Sequence, residues 1–136
     1  MKIGIRPIVE GKVTGSVLLS PHPISFLGDV DSETGKIIDS ESSIYGKNLK
    51  NTIFVFPRGK GSTVGSYIIY GLKVNNVSPL ALIAGEAETI VIAGAILADI
   101  PLVDLPDKDL FKIVKTGDII TIDTSEKTLK IQKRGK

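Results

Sequence analysis

Arg58-Gly59-Lys60-Gly61-Ser62-Thr63 brings two cations, two glycines and two hydroxyls into consecutive positions. The segment follows a strand-like run, Ile53-Phe54-Val55-Phe56, and opens a helix-like pattern, so it reads as strand, glycine turn and helix start. Gly59 and Gly61 allow a tight turn and a close approach of main chain to a ligand, and Ser62 and Thr63 fall where an N-cap hydroxyl sits. Unpaired N–H groups at such an end, the positive pole of the helix dipole, and the side chains of Arg58 and Lys60 together attract a carboxylate or phosphate. Ser62 stands in that field, where it binds an anion or, with its alkoxide stabilised by those donors, takes part in proton transfer. A plain capped helix start accounts for the same residues, and at this point both readings stay open.

Other chemistries fit the composition less well. A Walker A loop ends in Gly-Lys-Ser/Thr, whereas Gly61 separates Lys60 from Ser62. Gly59, Gly61 and Gly65 are spaced one residue too wide at the end for a dinucleotide fingerprint. A Ser-His-Asp hydrolase would depend on His22 alone, and its place between Pro21 and Pro23 points to a loop. Asp29 and Asp31 offer paired carboxylates for metal or acid-base work, yet Asp around Gly is also ordinary turn chemistry. Without cysteine the chain has no disulfide and no thiolate ligand for zinc or an iron-sulfur centre. A net charge of +2 implies no nucleic-acid surface by field strength alone. No uninterrupted apolar run reaches the ~18 residues of a membrane span, and Met1 to Arg6 carries no leader pattern, so the expectation is a cytoplasmic protein with no membrane partner. Absence of Trp and Cys with a single Met suits a heat-adapted source.

The elements that must position the glycine turn follow from periodicity. With 136 residues and 42% hydrophobic content, one sizeable core is expected, and residues 1–136 read as a single domain. Alternation around Glu10-Gly11 predicts two early strands, adjacent or paired as a hairpin. Residues 20 to 36 break regular structure and form a second candidate contact surface, with Ile37-Ile38 a short strand beyond them. A helix is predicted from Ser62 to about Val74, stopping at Asn75-Asn76, then a buried strand at Leu80 to Ala84, a helix at Thr89 to Ala98 and a strand at Leu102-Val103. That rhythm is a parallel crossover pattern, so the middle of the chain is α/β. A short helix at Asp107 to Val114 and a hairpin joining 119–123 to 128–132 make the termini β-rich, and Lys130 to Lys136 reads as a solvated basic end.

Taken in order, Ser20-x-x-Pro23-Ile24-Ser25-Phe26-x-Gly28-x-Val30-Asp31-x-x-Thr34-Gly35 and Pro57-x-Gly59-Lys60-Gly61-Ser62-Thr63-x-Gly65-Ser66 resemble the aconitase X swivel domain family. Ser78-Pro79-Leu80-Ala81, Thr89 to Ile96 and Ile100-Pro101-Leu102-Val103 extend the resemblance over nearly the whole chain. It implies a swivelling β/β/α domain, similar to the mobile domain of aconitase, that closes over a larger part. For a separate chain of this size it implies a large catalytic subunit as partner. That subunit would hold an iron-sulfur cluster and most of the substrate site, leaving no cofactor bound by this chain. The implied reaction is dehydration of (R)-5-phosphomevalonate to trans-anhydromevalonate 5-phosphate in an archaeal-type mevalonate route to isoprenoids. Family members that dehydrate cis-3-hydroxyproline supply an alternative, and a non-catalytic anion-binding interaction module is a reading from another class. The family's catalytic serine, a proton acceptor, falls on Ser62. Gly61, Thr63 and Lys60 or Arg58 are then the groups to stabilise its alkoxide and bind the phosphorylated substrate. Lys60 stands where the family often has Arg, which keeps the charge without the planar fork. Ser42-Ser43 replaces a frequent His-Pro pair, and Asp29 a second glycine of the early motif.

Overall fold

The computed structural model describes residues 1–133. Its strands are β1 (Lys2–Gly4), β2 (Arg6–Val9), β3 (Lys12–Leu19), β4 (Thr52–Phe56), β5 (Ala81–Ala84), β6 (Leu102–Asp104), β7 (Ile119–Asp123) and β8 (Thr128–Gln132). They form one sheet in the order β1-β8-β7-β3-β4-β5-β6-β2. The central four, β3 to β6, run parallel, and the flanking strands pair antiparallel. Helices α2 (Gly65–Val74) and α3 (Thr89–Ala98) are the crossovers joining β4 to β5 and β5 to β6, as the rhythm of the sequence predicts. Two further single-turn helices are α1 (Phe26–Asp29) and α4 (Leu110–Ile113).

Side chains of a strand alternate between its faces, and β4 uses both. Phe54 and Phe56 join Leu82 and the α2 and α3 residues Ile69, Leu72, Val91 and Ala95 in one core. Ile53 and Val55 join Ile83, Ile120, Ile122 and Leu129 in a second. A strand covered on both sides needs an unbroken apolar run, which is why Ile53 to Phe56 and Ala81 to Ala84 show no polar residue. Ile5 alone separates β1 from β2, although these are the two outermost strands. Gly4 and Arg6 are therefore at most ~7 Å apart, so the sheet curls until its edges meet around the second core. The result is two β layers with a layer of helices outside. Edge strand β2 is held to β6 by Arg6, whose Nε and Nη2 each donate at 2.8 Å to the fully buried carboxylate of Asp104. That carboxylate raises the already high pKa of the guanidinium through the hydrogen bonds and the opposite charge.

Four expectations need correction. The early alternating stretch holds three strands, and no two of them pair: β1 lies on β8, β2 on β6, and β3 between β4 and β7. Alternation records which side chains are buried and carries no information about which strand supplies the hydrogen bonds. The segment after Ser20 is also less of a surface excursion than its turn residues suggest. Phe26 of α1 packs edge-on against Phe54 and Phe56, at centroid distances of 6.4 and 5.8 Å, and Val30, Ile37, Ile44 and Leu49 are buried with it. Ile37 forms only an isolated bridge with Val30 rather than a strand. The terminal hairpin forms over the expected spans, with Ile119 opposite Gln132 and Asp123 opposite Thr128. Of the expected basic tail, Lys130 belongs to β8 and Lys133 bonds Asp118 at 3.0 Å, while residues 134–136 lie outside the described residues. No helix among the described residues is long and apolar enough to cross a membrane.

Candidate active site

Parallel neighbours β3 and β4 run out side by side at their carboxyl ends. The chain leaving β3 enters Ser20 to Ser25, and the chain leaving β4 enters the glycine turn. Their main chains stay paired beyond the strands. Ser20 N–H donates to Val55 O at 2.8 Å, Ile24 N–H to Arg58 O at 3.1 Å, and Lys60 N–H to Ile24 O at 2.9 Å. Gly59 packs against α3 so closely that a Cβ there would stand 2.8 Å from Val91 Cγ2. Gly61 has φ +91°, a left-handed conformation that favours glycine, and a Cβ on it would meet Ser25 Oγ at 2.7 Å.

The expected capping arrangement holds only in part. Helix α2 begins at Gly65, with Val64 in the cap position and no side-chain cap. Ser62 Oγ instead accepts the Val64 N–H at 3.1 Å, and Ser62 O accepts the Gly65 N–H at 3.0 Å. Ser62 thus caps a lead-in turn of i to i+3 bonds, and the backbone carbonyl of Thr63 continues that turn by accepting from Ser66. The N–H groups of Gly61, Ser62 and Thr63 meet no acceptor among the described residues. Ser62 is half-buried and Thr63 exposed, so these donors flank an accessible hydroxyl at the positive pole of a ten-residue helix. Arg58 and Lys60 are exposed, and neither forms an ion pair among the described residues.

The structure gathers some candidates and separates others. Lys60 lines a cleft of about 200 Å³ together with Ser20, His22, Asp29, Asp39 and Ser42, so the segment after Ser20 does reach the glycine turn. Ser62 is not part of that lining. His22 enters the described hydrogen bonds only through its carbonyl, which accepts Ser20 Oγ at 2.7 Å, and no Ser-His pair forms. Asp29 and Asp31 accept the N–H groups of Ser25 and Glu33, which is turn chemistry. Among the described residues no group of three or more His, Cys, Asp or Glu is placed to hold a metal ion. Sequence reasoning missed Asp39 and Glu41, which carry no local motif and arrive at the cleft through the packing of Ile37, Ile44 and Leu49. It also gave Ser25 no role, though that residue stands inside the early motif.

The model of the aconitase X swivel domain matches residues 2–131. The chain belongs to that family. Among relatives of this swivel domain, the phosphomevalonate dehydratase small subunit of Methanococcoides burtonii is 51% identical, the match covering 98% of each chain. The phosphomevalonate dehydratase small subunit of Thermococcus kodakarensis is 53% identical, with 99% of each chain covered. The crystal structure of Thermococcus kodakaraensis aconitase X in its holo-form matches the swivel domain with a TM-score of 0.92 at 51% identity, over 98% of this chain and 99% of that one. The mixed α/β architecture with its eight-stranded sheet is therefore the architecture of the family.

Proposed function

We propose that the whole chain acts as one swivel domain, the small subunit of a cytoplasmic hydro-lyase that dehydrates (R)-5-phosphomevalonate to trans-anhydromevalonate 5-phosphate, with Ser62 as proton acceptor. The designation of the relatives supports the substrate and a larger partner subunit. One geometric observation carries the role of Ser62: its hydroxyl lies at the surface beside the N–H groups of Gly61, Ser62 and Thr63, which meet no acceptor among the described residues.

An ordinary serine is far too weak a base to take hydrogen from carbon. Ser62 Oγ already receives the Val64 N–H, and a hydrogen bond to the charged form lowers a pKa. The helix pole and the cations at 58 and 60 act in the same direction. In the step, the Ser62 alkoxide takes the proton as the C–H bond breaks, the C–H electron pair becomes the new C=C bond, and the C–O bond on the neighbouring carbon breaks with its pair leaving as hydroxide into the partner's half of the site. Ser62 then passes the proton on to that hydroxide, which restores the alkoxide and releases the one water lost overall. The amides of Gly61 and Thr63 with Lys60 and Arg58 hold the anionic substrate. Closure against the partner excludes water and strengthens each of these contacts. An iron-sulfur cluster, which the family resemblance implies for the assembled enzyme, does not fit this chain, because there is no cysteine to ligate it. The larger subunit is its proposed place.

The test is anaerobic assay of the chain coexpressed with its large subunit, offering 5-phosphomevalonate and cis-3-hydroxyproline separately. Water elimination from phosphomevalonate, falling by ~100-fold or more in a Ser62→Ala variant that still assembles, is the expected result. Full turnover by that variant removes the proposed base, and turnover of hydroxyproline alone replaces the substrate.

A further inference from the structure

The hydroxyl of Ser25 lies against the glycine turn and meets no hydrogen-bonding partner among the described residues, although the main chain around it is firmly held. Ser25 N–H donates to Asp29 Oδ2 at 2.9 Å, and Ser25 O accepts the Asp29 N–H at 2.8 Å. On one side Ile24 is tied to Arg58 and Lys60, and on the other Phe26 is buried in the helix-side core. The side chain is half-buried and its oxygen stands 2.7 Å from where a Cβ on Gly61 would be. Amide nitrogen and Cβ of one residue are about 2.5 Å apart, which puts Ser25 Oγ within roughly 5 Å of the Gly61 nitrogen. Two donors that close can reach one anionic oxygen at hydrogen-bond lengths of about 2.8 Å each.

We propose that Ser25 is a further substrate-binding residue: its hydroxyl donates to the same anionic oxygen of the substrate that the Gly61 amide receives. This rests on the reading of the glycine turn as an anion site. It also explains why Gly61 has no side chain, since a Cβ would block the space between the two donors. Asp29 acts behind Ser25 as a positioning residue, holding the main chain that sets the hydroxyl.

Steady-state kinetics of the assembled enzyme decide the matter. Ser25→Ala is expected to raise KM for the substrate about tenfold or more, the effect of losing a hydrogen bond to a charged group, with kcat within about twofold and subunit association unchanged. An unchanged KM overturns the proposal, as does a loss of thermal stability without a change in KM, the mark of a space-filling role. Should Ser25→Ala fail to assemble, Ser25→Cys keeps bulk against Gly61 while giving up donor strength, and a normal KM there is equally fatal. Ser62→Ala measured in parallel separates the two readings. If it abolishes turnover while Ser25→Ala is normal, only the role of Ser25 falls. If it too is fully active, the reading of the turn falls.

Discussion

Ser62 Oγ accepts the Val64 N–H at 3.1 Å, one turn ahead of the helix proper. The bond sits at the surface, where water can replace it. Ser62→Ala should therefore change stability by no more than about 1 kcal/mol while removing the proposed base. Thermal denaturation of the variant beside its turnover checks this, and a large fall in melting temperature would mean that the hydroxyl serves the fold.

Gly61→Ala combines two penalties, a φ of +91° and a Cβ 2.7 Å from Ser25 Oγ. A destabilisation of at least about 1 kcal/mol is expected, together with loss of turnover as the turn shifts its amides. Denaturant titration and activity of the assembled pair measure both. A variant with native stability and activity would show that the turn tolerates a side chain.

Phe26→Ala withdraws the ring that meets Phe54 and Phe56 beneath the site. Deletion of a buried aromatic costs about 3–5 kcal/mol. Because Ile24 and Ser25 precede it directly, turnover should fall even at temperatures where the fold survives. A cost under 1 kcal/mol by chemical denaturation would contradict the anchoring of this segment.

The carboxyl of Asp123 is held below its ordinary range, first by the hydroxyl of Ser125 at 2.6 Å and then by backbone N–H groups, with Lys12 at 3.9 Å adding opposite charge. A depressed folded-state pKa contributes stability that is present above the unfolded value of 3.8 and lost as pH falls through the folded value. The melting temperature of the parent should exceed that of Asp123→Asn at neutral pH, and the gap should close in strong acid. The group is only half-buried, at the surface, so the gap is small, but one that persists undiminished in acid contradicts the linkage.

Local signals made much of the central architecture legible. Unbroken apolar runs at Ile53 to Phe56 and Ala81 to Ala84 require cover on both faces, which in a βαβ pattern the crossover helices supply. Thr89 to Ala98 was resolvable as a helix through its Ala and Gly content. The pairing of the strands near the amino terminus was not, because β2 and β3 find partners far along the chain, in β6 and in β4 and β7. Asp39 and Glu41 beside Lys60 were likewise invisible, since no spacing in the sequence predicts which loop will fold back onto which turn.

By itself the sequence determined the chemistry available: glycines that permit a left-handed bend, a serine beside them, two cations, and no thiolate to bind a cluster. Those properties belong to residue types and to short spacings, which steric and electronic rules govern locally. Only the tertiary structure decided which N–H groups of the turn remain unspent and that Ser25 stands against Gly61. Both depend on β3 and β4 lying side by side and on Phe26 being drawn into the core between them and the helices. Burial, acting across the whole chain, sets those distances.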